Sequence, residues 1–564
     1  MADRGLGPGL LRDRALAGLC IAAAGALVAM VVRVWAGRLL YPFDLEWMEG
    51  GMLAHAWRLQ QGQPLYVEPG PDFVPFVYPP GYAAVVAFVG ELPGLSPAVG
   101  RGVSVAGTLA SAAAIGVAVR DRGGPAWLAG AAAAVWLGTY PMTGAFFDLV
   151  RPDALGVAAM AWAVVLSLRP RAGAAIAAGL LTALAVLLKH NLGLVAVPLL
   201  AAWFWRGPPW GLRYVAATGL PVLVVGSFVQ LRSEGRFLAY LIEVPRSHRL
   251  VWDRAVTVVP WELANALSTP LVVLAFALLF GLLRSRGRLP GWLVAGIPVW
   301  TGFLVAWGFT YAPAPPLAGT TPLGLAVTVA AVVAMTLMLP LFALGRWTAT
   351  DPPRLDPELV LVGGVVVVTC LGSVLLRVHD GGYANVEMPM FWSWSLAFGL
   401  VLADADRAGA RPLTRLALAV SLAVAILRMP VTALLPTHAD VDRGQRLVAG
   451  LHRVEGPVLS PFAAWLPTYA GHFPSLHAQA AWDLMYPRGP FVDEVAVVER
   501  AIRGGYWGAV VGGNFPLVRG YPFAEVYEPG PLVVGPAEGP LRPKTGFVAL
   551  PIRLLHAPAE APED

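Results

Sequence analysis

The sequence predicts an all-α polytopic membrane protein with a small α/β domain at its C-terminal end, and three observations carry that prediction. First, 57% of the 564 residues are hydrophobic and only 13% are charged, whereas soluble globular proteins carry about 25% charged residues. Second, apolar runs close to the ~20 residues needed to cross a bilayer recur from the N-terminus to about residue 430. Third, the composition changes after Pro436, where polar and apolar residues mix and no further span follows.

The first apolar run, 15–32, follows a basic segment. It is longer than the 7–15 residues of a typical signal-peptide core and has no small-residue cleavage site behind it, so it reads as a retained first helix. Further helices are expected near 98–119, 125–141, 154–168, 172–188, 190–205, 213–230, 261–283, 291–311, 320–345, 358–377, 390–404 and 413–430. With the first, near 15–38, that makes about thirteen spans.

Short Arg-rich loops stay on the cytoplasmic side, which fixes the expected topology. The clusters at 4–14, 120–122, 169–171, 206–213, 284–288, 346–354 and 407–415 all go inside. The N-terminus is then cytoplasmic, residues 39–97 form the first exported loop, and the chain divides into a membrane domain, 1–436, and an extracytoplasmic domain, 437–564. Short runs at 458–460, 509–511 and 546–550 read as strands of that domain, and 494–503 reads as a helix.

Within the first exported loop, 82–92 is too short to cross and is bracketed by prolines, so it reads as a helix at the membrane interface. The segment 47–60 has Trp47, Leu53, Ala54 and Trp57 at helical spacing and reads as a second.

The basic balance does not point to nucleic acid. A net charge of +5 is spread over short clusters between apolar runs, the pattern of topology signals rather than of a nucleic-acid surface. Basic residues are Arg except for Lys189 and Lys544. That bias, with abundant Ala, Gly and Pro, points to a GC-rich bacterial genome and hence to a bacterial inner membrane. Cys20 and Cys370 both lie in apolar runs, so neither a disulfide framework nor a zinc site is expected.

The densest chemistry follows the first span: Tyr41-Pro42-Phe43-Asp44-Leu45-Glu46-Trp47-Met48-Glu49-Gly50-Gly51. Three carboxylates among Trp and Met can bind a divalent cation, Mg or Mn, through their oxygens, or one can act as a general base tuned by burial. The plainer alternative makes Asp44 a helix cap, with Glu46 and Glu49 in the first turn. A rigid turn, Tyr78-Pro79-Pro80-Gly81, then folds the loop back.

The second exported loop contains Asp148, Arg151 and Asp153; Asp153 either caps the following helix or joins the first acids. Lys189, followed by His190, interrupts two apolar runs; its alternatives are a lipid phosphate or snorkelling to the interface. Arg246, His248 and Arg249 form an exported basic patch, for a phosphate or for anionic membrane lipids. A polar, Gly-rich turn carries His379, Tyr383 and Asn385, either as ligand contacts or as turn and capping residues.

Asp44-x-Glu46 after the first span, Gly62-x-Pro64-Leu65-Tyr66, Tyr78-Pro79-Pro80-Gly81 before an interfacial helix, and Arg151-x-Asp153 in the second exported loop together resemble the GT-C glycosyltransferases. These are polyprenyl-phosphate-sugar-dependent enzymes such as the protein mannosyltransferase and aminoarabinose transferase types. The resemblance is carried by the first exported loops; the remaining spans agree in architecture. It implies a GT-C-like fold, a polyprenyl-phosphate-sugar donor and an extracytoplasmic acceptor that is a glycan, lipid or protein. It also implies inverting transfer, with Asp44 as the base or a metal ligand, Glu46 as its partner and Asp153 as the second-loop acid, Asp148 being the alternative. Asp44, Glu46 and Asp153 are the candidate metal ligands. Arg151, Lys189 and the Arg246–Arg249 patch are the cations available to the departing phosphate, and the turn at His379 and Asn385 would border the donor cavity.

The rival expectation is a multi-span secondary transporter or lipid flippase, which also buries ionisable residues among helices. No phosphate-binding loop, dinucleotide fingerprint or HExxH motif stands in a usable context, so ATP-driven transport and soluble nucleotide-sugar chemistry lose support.

Overall fold

Apolar periodicity becomes helix along most of the chain, and the helices are long because little in those runs can end them. The computed structural model describes residues 8–169, 171–256, 258, 262, 357–407, 411–513, 526–532, 541, 543–546 and 551–556. The expected helices near 261–283, 291–311 and 320–345 lie outside the described residues. The described helices begin with α1 (Pro8–Leu39), α2 (Glu49–Gln60), α3 (Gly81–Val89), α4 (Pro97–Asp121) and α5 (Ala126–Gly138). They continue with α6 (Pro152–Ser167), α7 (Ala172–Leu188), α8 (Ala196–Trp205) and α9 (Pro208–Arg232). Beyond these come Pro357–Val378, Met388–Arg407, Arg411–Leu427 and His438–Leu451.

Among the described residues five helical segments are long and apolar enough to cross a membrane: Asp13–Leu39, Pro97–Asp121, Pro208–Arg232, Leu361–Val378 and Ala384–Asp404. The chain is a multi-pass membrane protein. Its centre is the packing of α6 between α4 and α7. Gly107 permits the first of these contacts, since a Cβ there would lie 2.8 Å from the Leu155 Cα; small residues let helix backbones approach this closely where lipid offers no hydrophobic drive.

Two elements differ from the sequence expectation. The single helix expected over 190–205 is a 3₁₀ turn, His190–Val195, followed by α8. Lys189, with extended backbone at φ −154° and ψ 100°, ends α7 immediately before that turn. Helix α2 was expected at the membrane interface, but Glu49 to Ala56 are all buried, because the C-terminal segment lies over them. His477 Nε2 bonds the Trp47 carbonyl at 2.8 Å, and the backbone N–H groups of Lys544 and Thr545 both donate to the Leu45 carbonyl.

That C-terminal segment contains a four-stranded sheet of β1 (Val458–Leu459), β2 (Ala509–Gly513), β3 (Glu528–Leu532) and β4 (Pro551–His556) in the order β1-β2-β4-β3. Strand β1 runs parallel to β2, and β4 is antiparallel to both β2 and β3. The strand expected at 546–550 falls largely outside the described residues; the described strand begins at Pro551. The expected helix near 494–503 spans Ala496–Arg503.

Candidate active site

The loop between α1 and α2 is irregular, so its backbone carbonyls need donors from elsewhere. Arg101 of α4, fully buried, supplies them. Its guanidinium donates to the carbonyls of Arg38 (3.0 Å), Tyr41 (2.5 Å) and Phe43 (2.7 Å) and, through Nε and Nη2, to both oxygens of Glu49 (3.0 and 2.7 Å). All five N–H donors of the guanidinium are thereby used.

Glu49 also accepts the N–H groups of Leu45 (2.6 Å) and Val150 (2.9 Å), tying the first exported loop to the second. Burial alone would raise this acid, but Arg101 and the backbone donors outweigh it and hold it below the usual carboxylate range. Glu49, a candidate substrate contact in the sequence, is a brace. Asp148 is another: Arg38 Nε stands 2.8 Å from its Oδ2, and the Tyr140 hydroxyl donates to its Oδ1 at 2.6 Å. Arg38 and Arg101 escaped the sequence reading. An arginine inside an apolar helix is the sign that would have found Arg101, because such groups turn inward toward a partner.

Between these braces lies a buried ion network. Arg151 Nη1 is 3.4 Å from Glu46 Oε2, its Nη2 donates to the Tyr78 hydroxyl at 3.0 Å, and its Nε is 3.9 Å from Asp153 Oδ2. Lys189 Nζ pairs with Asp153 Oδ1, to which Asn385 Nδ2 also donates at 2.8 Å. The extended backbone at Lys189 thus breaks a helix and places the ammonium group on Asp153. Asp153 does not cap α6, whose N-cap is Arg151. Glu46, Arg151, Asp153, Lys189, Asn385 and Tyr78 therefore converge, although in sequence they span more than 300 positions. Burial pushes the Glu46 acid up to about 7, with Arg151 opposing the rise and Glu49 adding to it.

Asp44 does not join this network. It does not cap α2 either, whose N-cap is Met48. In a loop bent at Phe43, Leu45 and Glu46, it lines a cavity of about 20 Å³ with Trp465 and Tyr469. That volume holds about one water. Its Oδ2 has no hydrogen-bond partner among the described residues, and burial, with Glu49 nearby, raises the acid well above the usual range.

Gly50 makes the arrangement possible. A Cβ there would meet the Trp465 backbone nitrogen at 2.6 Å and Asp44 Oδ2 at 3.0 Å. Gly50→Ala is expected to destabilise the protein by about 1–3 kcal/mol, read as a lower midpoint of thermal unfolding in detergent.

Asp44, Glu46 and Asp153 do not fit a divalent cation in this geometry. Lys189 and Asn385 occupy Asp153, Arg151 faces Glu46, and no group of three or more metal-ligating side chains occurs among the described residues.

A second, cationic cleft opens beside the network. Backbone pairing of Val251 N–H with the Val378 carbonyl (2.6 Å) and of Asp380 N–H with the Arg249 carbonyl (2.9 Å) joins the basic patch to the Gly-rich turn. The His248 and His379 rings lie 4.9 Å apart; His248 Nε2 bonds the Asp483 carbonyl and His379 Nε2 the Pro245 carbonyl. Burial lowers the His248 imidazole. The cleft measures about 1110 Å³, and Arg246, His248, Arg249, Trp482, Tyr486 and Arg488 are among its walls. Trp482, a wall of the cleft, also packs on Trp47, the residue after Glu46, with ring centroids 5.5 Å apart.

Two other candidates are less engaged. Tyr383 packs on Phe146 at 5.5 Å, and His190 Nδ1 has no partner among the described residues.

Fold and site together define a multi-pass membrane protein with a buried acid-base network at one end of its helices, beside a basic cleft. No family model and no curated protein sequence matches the chain. Among solved structures it is similar to ArnT from Cupriavidus metallidurans in the apo state, at 16% identity and a TM-score of 0.46, over 94% of this chain and 96% of that one. The same protein bound to undecaprenyl phosphate matches at 16% identity and a TM-score of 0.46, over 95% and 98% of the two chains. The oligosaccharyltransferase of Archaeoglobus fulgidus, in the apo form, matches at 11% identity and a TM-score of 0.44, over 87% of this chain and 69% of that one.

Proposed function

We propose that the protein is a membrane glycosyltransferase of the GT-C type, transferring a sugar from a polyprenyl-phosphate donor to an extracytoplasmic acceptor with inversion at the anomeric carbon. The observation that carries this reading is the Glu46 carboxyl, buried beside Arg151 with its acid near 7. A general base works best when its pKa lies near the operating pH.

In the proposed step an acceptor hydroxyl or amine attacks the anomeric carbon. Its proton passes to Glu46, the bond from that carbon to the donor phosphate oxygen breaks, and the phosphate leaves with the electron pair. The phosphate docks in the cleft of Arg246, His248, Arg249 and Arg488, where cations stabilise the developing charge. Asp153, held by Lys189 and Asn385, positions Arg151. The membrane is the inner membrane of a bacterium, with the N-terminus cytoplasmic and the C-terminal segment outside; a lipid that carries the activated sugar across removes the need for a nucleotide there.

The buried Lys189–Asp153 pair is also what a secondary transporter or flippase would carry. Full-length protein in nanodiscs, given polyprenyl phosphate, polyprenyl-phosphate sugars and an envelope extract that supplies glycan, lipid and protein acceptors, separates the readings. Expected are consumption of the sugar donor and, in Arg246→Ala/Arg249→Ala, affinity for polyprenyl phosphate weaker by about tenfold or more. Solute or lipid movement without donor consumption would remove the transferase reading.

A further inference from the structure

A third cavity lies away from both the ion network and the basic cleft, where the end of α2 meets the C-terminal segment. It measures about 780 Å³, within the range of ligand-binding pockets. One wall comes from the first exported loop and carries Trp57, Arg58, Asp72 and Phe73; the other carries Phe473 and Tyr506. Two aromatic rings stay open to solvent, Phe473 at 78% and Tyr506 at 42% of their full exposure. Trp57 backs Phe473 with ring centroids 5.6 Å apart. Packing alone does not account for a phenylalanine left so exposed above a tryptophan, and exposed apolar surface rimmed by polar groups marks a binding site.

The polar groups identify the ligand class. Arg58 lies over the Phe73 ring at 4.1 Å and donates to the Pro64 carbonyl, and the Tyr506 hydroxyl bonds Asp72 at 2.9 Å. Arg58 and Asp72 balance, with His472 as the remaining basic wall, whereas the basic cleft sets three arginines and His248 against Glu243 and Asp380 and keeps a positive excess. A neutral ligand suits this lining better than a phosphate or an acidic chain. It must present apolar faces to aromatic rings and hydroxyls to Arg58, Asp72, Gln61 and Gln63, and pyranose rings do both: axial C–H bonds on one face stack on the electron-rich ring, and equatorial hydroxyls point to the rim.

Helix α2 links this cavity to the network. Its N-terminal end adjoins Glu46, and Trp57 lies nine residues beyond Met48, roughly 14 Å along the axis. We infer that the cavity binds a neutral oligosaccharide, the distal part of an acceptor glycan whose reacting end reaches Glu46. The role as acceptor site rests on the transferase reading; the affinity for neutral glycan does not.

Full-length protein in nanodiscs applied to an array of neutral and acidic glycans tests this. Neutral oligosaccharides are expected to bind, with affinity falling about tenfold or more in Phe473→Ala and in Tyr506→Ala. Tyr506→Phe, which keeps the ring, and Glu46→Gln are expected to bind as the parent does. Absence of neutral-glycan binding, a preference for acidic glycans, or binding indifferent to both alanine variants would overturn the inference. Glycan binding that Phe473→Ala abolishes, in a protein that consumes no donor, would support the cavity and remove the transferase reading alone.

Discussion

Replacing Glu46 by glutamine is expected to lower sugar transfer by about 10²–10⁴-fold while leaving the protein folded. Glutamine keeps the shape and the contact to Arg151 but takes no proton. The same residue sets the sign of the pH dependence. Burial raises its acid to about 7, so the carboxylate that accepts the proton forms as pH rises through 7. Transfer by the parent protein should therefore climb between about pH 6 and 8, and the residual rate of the variant should not follow that limb. Rates of donor consumption across that range, at fixed lipid composition, check both effects.

The largest structural effect is expected at Arg101. Arg101→Ala leaves Glu49 as a buried charge without its partner and frees the carbonyls of Arg38, Tyr41 and Phe43. Breaking a buried pair in this way costs about 3–5 kcal/mol, against a total stability of about 5–15 kcal/mol for typical domains. The variant should be recovered in low yield, with a sharply lowered unfolding midpoint in detergent. Arg101→Lys should not restore it, because an ammonium has three donors where this site uses five. Native-like yield and midpoint in Arg101→Ala would show that Glu49 is not held as described. Glu46→Gln, by contrast, leaves these braces intact and should keep the parent's yield and unfolding midpoint.

How much of this was legible in the sequence differs by element. The cores of α1, α4, α6, α7 and α9 follow from apolar runs, because a bilayer-length run has one stable form. The break after α7 was legible, because Lys189 interrupts two apolar runs and the helix expected over 172–188 ends there, but the 3₁₀ turn His190–Val195 that follows was not, since hydropathy does not distinguish it from α-helix. The site was legible as a set of residues, with Glu46, Arg151, Asp153, Lys189 and Asn385 all singled out by their polarity against apolar surroundings. Their division of labour was not. Asp44 and Glu46 are two apart, and on an extended strand they would share a face. In the loop that Arg101 and Glu49 hold, Glu46 pairs with Arg151 while Asp44 lines a separate small cavity, and that constraint comes from a helix more than fifty positions away in sequence. The cover over α2 was equally hidden, because it depends on loops of the C-terminal segment that carry no periodic pattern.

The central claim is that the base is Glu46 in the ion network, and not Asp44 in its small separate cavity. The most direct test is a side-by-side measurement of donor consumption by Asp44→Asn and Glu46→Gln in full-length, folded protein. The geometry predicts that Glu46→Gln loses about two or more orders of magnitude, while Asp44→Asn, a neutral isostere of an acid already raised well above its usual range, stays within about tenfold of the parent. The reverse order, with Asp44→Asn inactive and Glu46→Gln active, would contradict the account and assign the base to Asp44.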